Sequence, residues 1–236
     1  LVRRPIPHPL KDGRMPVNIE VARRVVQALH SEVWTRGSIS GPFSLAISLM
    51  GAEDLFLATL DEPQFVHDLL QHAGRIIKEF GKAYIDVGAD VFMFDSQASP
   101  DLLSPEMYRD YVLPVMQDLI DTFSQLGIKD VPLIIGGNTT RLVDELIATS
   151  ANNLLCDFTA DWPQWLESAR TANRAIRRNM NPVFIQTAAP DDIYDAAQKV
   201  IAEADRYPGF IMGTAVVPYG TPLENLLAIK QACHDS

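Results

Sequence analysis

Asp95 closes the run Asp90–Asp95 and is followed by Ser96, Gln97 and Ser99. A carboxylate at the end of a β-strand can take a proton or hold ligand N–H groups. It can equally cap its own turn. Asp157 follows Leu154-Leu155-Cys156 in the same way, and a buried strand-end carboxylate needs a partner, which Arg177 or Arg178 could supply. Gly136-Gly137-Asn138-Thr139-Thr140 joins an apolar run to a helix pattern. Small residues there let a ligand approach the backbone, and free N–H groups at a helix start attract anions. A plain turn capped by Asn138 or Thr139 would give the same pattern. Asn179 and Asn181, in Arg-Arg-Asn-Met-Asn-Pro, suit a turn. Tyr219 could stack on a planar ligand or pack its own loop. The histidines (His8, His30, His67, His72, His234) are scattered, and His67 and His72 are badly spaced for one helix face. No Cys/His cluster has zinc-ligand spacing, and no Gly-x-Ser-x-Gly elbow is present.

These residues need elements to position them. Short, nearly unbroken apolar runs lie at Val33–Ser40, Asp90–Asp95, Pro132–Gly136, Asn153–Phe158, Ala175–Asn179 and Gly209–Gly213. Such runs suit strands of a parallel sheet buried on both faces. Helix starts fall between them. Asp61 heads Asp-Glu-Pro-Gln-Phe, Ser104-Pro105 puts Pro at the first position, Asp161 heads Asp-Trp-Pro-Gln-Trp, and Thr221 heads Thr-Pro-Leu-Glu. Pro114 should kink the helix after Ser104. Trp162 and Trp165 should pack the outside of the sheet. The β–α alternation implies a parallel sheet flanked by helices, either most of a (β/α)8 barrel or a doubly wound sheet. GxGxxG and GxxxxGK[ST] fingerprints are absent. Residues 1–16, with Pro5, Pro7, Pro9 and Pro16, read as an extended arm, and 17–236 as one domain.

The 236 residues are 47% hydrophobic and 21% charged, ordinary for a globular protein. A net charge of −10 argues against non-specific nucleic-acid or anionic-membrane binding. No apolar run has the length of a membrane span, and the first residues lack the apolar core of a signal peptide. Cys156 and Cys233 fit a reducing compartment, so a cytoplasmic location is expected.

Several strand ends together resemble one family. The stretches are GPFSLAISLMG (41–51), GADVFMFDSQASPDLLSPEMYRDYVLP (88–114), PLIIGGNTT (132–140) and GFIMGTAVVPYGTPLENL (209–226). They are similar to the uroporphyrinogen decarboxylase superfamily, closest to its methylcobalamin:coenzyme M and chloromethane methyltransferases. The resemblance implies a (β/α)8 TIM-type barrel with its site at the C-terminal mouth. It also implies that about two βα units of such a barrel lie upstream of the strands seen here. Open edges would then need a partner, a second copy or rearrangement.

The branch's His-x-Cys and later Cys zinc ligands fall at Ile134, Gly136 and Ala215, none of which can bind metal, so no zinc is expected. The decarboxylase residues that would contact tetrapyrrole propionates fall near Ser48 and Thr214. The resemblance therefore points to a zinc-independent methyltransferase acting on a corrinoid-borne methyl group, with cobalamin as methyl carrier. The partner would be a corrinoid protein or a small methyl carrier. The alternatives are a uroporphyrinogen decarboxylase-like carboxy-lyase and a non-catalytic barrel subunit. Expected site residues are Asp95 and Asp157 for catalysis, and Ser48, Gly137, Asn138, Asn179, Thr214 and Tyr219 for substrate, with no metal ligands.

Overall fold

The computed structural model describes residues 1–29 and 32–236, so His30 lies outside the described residues. Six short runs extend and pair side by side: β1 (Arg36–Ser40), β2 (Asp90–Phe94), β3 (Pro132–Ile134), β4 (Asn153–Cys156), β5 (Ala175–Asn179) and β6 (Phe210–Gly213). All five pairings are parallel, and the strands follow one another in chain order. That order, with helices in every connection, is the wall of a (β/α) barrel and not the crossed-over order of a dinucleotide-binding sheet. Among the described residues β1 and β6 do not pair, so the wall stays open.

Side-chain alternation divides the sheet into two faces. Ile39, Val91, Met93, Leu133, Leu154, Cys156 and Ile176 are buried beneath the helices. The residues between them, Ser38, Phe92, Phe94, Ile134, Leu155 and Arg177, face the concave side and line one cavity. β1 is shorter than its apolar run predicts. Trp34 lies outside it, more than half exposed, with its ring against the Arg36 guanidinium and its Nε1 donating to Asp90.

The helices are α1 (Met15–Leu29), α2 (Pro42–Met50), α3 (Ala52–Asp61), α4 (Pro63–Asp86), α5 (Pro105–Met107), α6 (Leu113–Gln125), α7 (Val143–Ala148), α8 (Trp162–Ala172), α9 (Pro182–Thr187), α10 (Pro190–Glu203) and α11 (Leu223–His234). α1 begins at Met15, so the arm ends at residue 14 and not 16. Pro16 is tolerated because an N–H in a helix's first turn has no intrahelical partner. Ser104 caps α5, accepting from Met107 N–H, and Asp161 caps α8, accepting from Gln164 N–H.

Two expected caps are displaced. Asp61 is the last residue of α3, because Leu55 and Ala58 bury a face that carries the helix through it. Thr221 turns its hydroxyl onto the Pro218 carbonyl at 2.7 Å, and α11 starts after Pro222. Between α5 and α6 the chain forms a π turn, Tyr108–Val112, in which the Leu113 N–H reaches the Tyr108 carbonyl five residues back. Pro114 follows directly. Its missing N–H and its ring disfavour regular α spacing in the preceding turn, and the π turn absorbs the misfit.

The packing has two cores. The larger runs through α1 to α8, with Phe43, Leu69, Tyr108, Phe123 and Trp165 fully enclosed. The smaller gathers Met180, Ile185, Ile193, Ala197, Ile229 and Ala232 from the β5 end and α9 to α11. No single helix among the described residues is long and apolar enough to cross a membrane.

Candidate functional site

Parallel strands in a barrel wall bring their C-terminal ends to one mouth. Here the ends of β2 to β6 and the loop after β6 enclose a cavity of about 680 Å³. Phe92, Phe94, Ile134 and Leu155 give it apolar walls, and Asp157, Arg177, Asn179 and Thr214 supply its main polar groups. The mixture of apolar walls and a few converging polar groups is typical of small-molecule sites.

Of the site residues expected from sequence, the cavity gathers Asp157, Asn179 and Thr214. Asp157 is buried, and its Oδ1 accepts from the Thr159 N–H at 3.2 Å and hydroxyl at 3.0 Å. No donor among the described residues reaches Oδ2. Arg177 and Arg178 do not pair with this carboxylate. Arg178 lies on the helix side of the sheet, where it donates to the Asp157, Phe158 and Ala160 carbonyls and to Cys156 Sγ. It thus pins the loop that carries Asp157. Burial pushes the Cys156 thiol up to about 11 despite the Arg178 guanidinium beside it, so the thiol is not a nucleophile at neutral pH. Asn179 is buried, and its Oδ1 has no partner.

Asp95 corrects an expectation. Its carboxylate is wholly buried and does not line the cavity. Oδ1 accepts from the Ser44 N–H at 2.8 Å and the Ser44 hydroxyl at 2.6 Å, and Oδ2 accepts from the Phe43 N–H at 3.4 Å. Ser44 Oγ in turn accepts from the Gln97 N–H at 3.1 Å. Asp95 therefore ties the end of β2 to the first turn of α2, where free N–H groups and the helix dipole favour an anion. Burial nonetheless raises its pKa above the usual carboxylate value, against the lowering effect of the Ser44 and Phe43 bonds. Gly41 makes the arrangement possible, because a Cβ there would run into the Asp95 side chain.

Four further expected residues stand off the cavity. Ser48 is exposed on α2, and its hydroxyl donates to the Ser44 carbonyl. Gly137 turns the chain at φ 84° beside the lining residue Gly136. Asn138 is exposed and spends its Oδ1 on the Thr140 N–H and hydroxyl. Thr140 Oγ1 then accepts from the Asp161 N–H, linking the loops after β3 and β4. The Tyr219 side chain is fully exposed and stands outside the cavity. Of the histidines, His67 lies against the Tyr111 ring, and His72 is buried in the helix layer, where burial lowers its pKa.

Sequence reasoning missed Arg177 as a member of the site in its own right. The signal was the strand period: Arg177 and Asn179 lie two apart on β5, so they share a face, and Arg178 takes the other. Ile134, Gly136 and Ala215 all line the same cavity. Ile134 ends β3, Gly136 lies in the loop after it and Ala215 in the loop after β6, yet they sit around one space. Their side chains, a branched alkyl group, a hydrogen and a methyl, hold no donor atom, so this position does not fit zinc. Ala215 also holds φ 55°, an uncommon conformation for a residue with a Cβ.

A family model described as uroporphyrinogen decarboxylase matches residues 2–236. Among curated relatives, a methylcobamide:CoM methyltransferase of Methanosarcina acetivorans is 29% identical over 195 residues, covering 81% of this chain and 56% of the relative. A methylated-thiol–coenzyme M methyltransferase of Methanosarcina mazei is 27% identical over 227 residues, covering 95% and 59%. A uroporphyrinogen decarboxylase of Chloroflexus aurantiacus is 32% identical over 158 residues, covering 64% and 42%. The chain thus spans less than two thirds of the length of each of these three relatives. A solved methyltransferase structure from Methanosarcina mazei superposes with a TM-score of 0.82 at 20% identity, covering 98% of this chain and 67% of the other, which shows a shared fold.

Proposed function

Because the chain belongs to the uroporphyrinogen decarboxylase family, matched from residue 2 to 236, we propose that its mouth serves methyl transfer from a corrinoid-borne methyl group without zinc. One observation carries this reading. The three positions that, by the resemblance, fall where the methyltransferase branch carries its zinc ligands all line one cavity, and Ile134, Gly136 and Ala215 offer no metal donor there. The relatives named for methylcobamide and methylated-thiol chemistry support the corrinoid class.

The corrinoid, as substrate, supplies a methyl group that leaves cobalt without the electron pair of its bond. The acceptor, an amine or thiol, contributes the pair for the new bond and loses its proton. In this reading Asp157 takes that proton. Its Oδ1 is fixed by Thr159, its loop is pinned by Arg178, and its Oδ2 is left for an acceptor N–H or S–H. Phe92, Phe94, Ile134 and Leu155 give the reacting atoms an apolar wall.

The test is methylcobalamin consumption, followed by its visible absorbance, with metal-free protein and an amine or thiol acceptor. We expect turnover that chelator does not abolish and that Asp157→Asn lowers about a hundredfold, the usual worth of a general base. No consumption above the protein-free rate, or activity restored only by zinc, overturns the reading. A tetrapyrrole carboxy-lyase is the second reading, supported by the decarboxylase relatives and by a cation in the cavity wall. A non-catalytic subunit is less well supported, because polar groups converge on an open cavity.

A further inference from the structure

We propose that Arg178 is a positioning residue of this mouth. It acts through Asp157, by fixing the peptide groups of the loop after β4 so that the free carboxylate oxygen keeps its aim into the cavity. The proposal rests on the reading of Asp157 as the group that takes the proton. Arg178 itself does not line the cavity. It is in register with Cys156, the last residue of β4, and lies on the helix side of the sheet. Its side chain therefore stands beside the point where the loop leaves the strand.

One guanidinium there meets four acceptors of one short segment. Nη1 donates to the Asp157 carbonyl, to Cys156 Sγ at 3.2 Å and to the Ala160 carbonyl at 3.4 Å, and Nη2 donates to the Phe158 carbonyl at 3.3 Å. The Trp162 ring lies 5.7 Å from the guanidinium carbon and covers it. Among the described residues no carboxylate pairs with this cation, so its charge is spent on peptide dipoles. A planar fork of N–H donors suits carbonyls that converge in this way, and a lysine ammonium does not.

The Asp157 carboxylate depends on this clamp because its own bonds stay inside the loop. Its Oδ1 accepts from Thr159 alone, and the Asp157 carbonyl accepts from the Ala160 N–H at 3.0 Å. Those bonds fix the shape of the loop and not its place over the cavity. Among the described residues, two side chains tie residues 157–161 to neighbouring strand ends by hydrogen bonds. Thr140, after β3, holds the far end of the loop by accepting from the Asp161 N–H at 2.8 Å, whereas Arg178 holds the peptide of Asp157 itself. Without the guanidinium the Phe158 and Ala160 carbonyls lose this donor, and the loop turns to satisfy them elsewhere. The carboxylate moves with it, and a misplacement of about 1 Å costs on the order of a hundredfold in rate.

The experiment joins amide hydrogen exchange of the purified chain to the methylcobalamin assay, on Arg178→Met, Arg178→Lys, Asp157→Asn and the double variant Arg178→Met/Asp157→Asn. Arg178→Met should speed exchange at Thr159 and Ala160 while β2 and α4 keep their protection. It should lower kcat about 10- to 100-fold and leave the KM for methylcobalamin unchanged. Arg178→Lys should recover only part of that kcat. The double variant should be no slower than Asp157→Asn alone, because a residue that acts through another has nothing further to lose once that one is gone. Arg170→Met, which takes a guanidinium off the Ala204 carbonyl elsewhere in the wall, should leave kcat as it is. Circular dichroism checks folding, and if Arg178→Met fails to fold, Arg178→Lys carries the same comparisons. Unchanged exchange at Thr159 and Ala160 overturns the proposal whatever the activity. Losses that add in the double variant, or a raised KM with kcat intact, also overturn it. If the wild type consumes no methylcobalamin, the methyl-transfer reading falls, and exchange alone decides the clamp: loosening confined to the loop upholds it and none refutes it.

Discussion

Asp95 and Asp157 sit just beyond the ends of β2 and β4, the same residue type at equivalent places, with opposite surroundings. Asp95 is spent on the first turn of α2, whereas Asp157 keeps one oxygen for the cavity. Asp95→Ala would strand the Ser44 and Phe43 N–H groups in the core, and we expect a loss of about 2–4 kcal/mol in urea denaturation. Asp95→Asn tests the charge separately. Burial raises the folded-state pKa of Asp95, so over the window between its ordinary and its raised value the folded state holds a proton that the unfolded state has released. Stability from this group is therefore present below the ordinary carboxylate range and falls as pH climbs through the raised value. Asp95→Asn should flatten that fall in melts taken between about pH 4 and 8. At Ile134, Gly136 and Ala215, elemental analysis should find no stoichiometric zinc, and one bound equivalent near these residues would contradict the assignment. That an acidic residue follows β2 and β4 was legible in the sequence. Which way it turns was not, because the direction of Asp95 is set by Gly41 and Ser44, some fifty positions away in the chain.

β5 shows what an element contributes beyond its residue list. Its period of two sends Arg177 and Asn179 to the cavity and Arg178 to the loop carbonyls. Turn chemistry in Arg-Arg-Asn-Met-Asn-Pro points to Asn179 and Asn181, while the alternation is carried by strand period alone. Asn181 is indeed a turn residue, capping α9 by accepting from the Val183 and Phe184 N–H groups. The six strands were legible as short apolar runs, and several helices by their starts, whereas α1, α2, α3, α9 and α10 were not singled out because their first turns carry no side-chain cap motif of that kind or lie beside another signal. Caps were legible only where nothing upstream competed: Ser104 and Asp161 cap as their motifs predict, whereas Asp61 is absorbed into α3 and Thr221 into its own loop. Asp161→Ala should cost about 1 kcal/mol, the usual worth of an N-cap, measured as a lower urea midpoint at unchanged slope. Gly213→Val should push aside the Arg177 stem and the Asn179 amide, and the strain of overpacking should appear as a lower urea midpoint.

At the scale of the whole molecule, six strands in chain order were legible from the β–α rhythm, but how the wall closes was not. β1 and β6 each leave one side without a strand among the described residues. Exposed strand edges pair with other chains, and Phe94 and Ile211 add half-exposed apolar surface on the concave side. The 236-residue chain expressed alone is therefore expected to associate, and a stable monomer by light scattering across a concentration series would contradict this. The division of the interior into two cores has a different consequence. Met180, Ile185, Ile193, Ala197, Ile229 and Ala232 pack chiefly among themselves, so the last quarter of the chain has its own cooperativity. It should come away from the rest as a unit while β1 to β4 stay folded. In native-state hydrogen exchange, the amides of α10 and α11 should then share one opening free energy, lower than that of β2 and α4, and mild proteolysis should first cut the chain near the α9 loop.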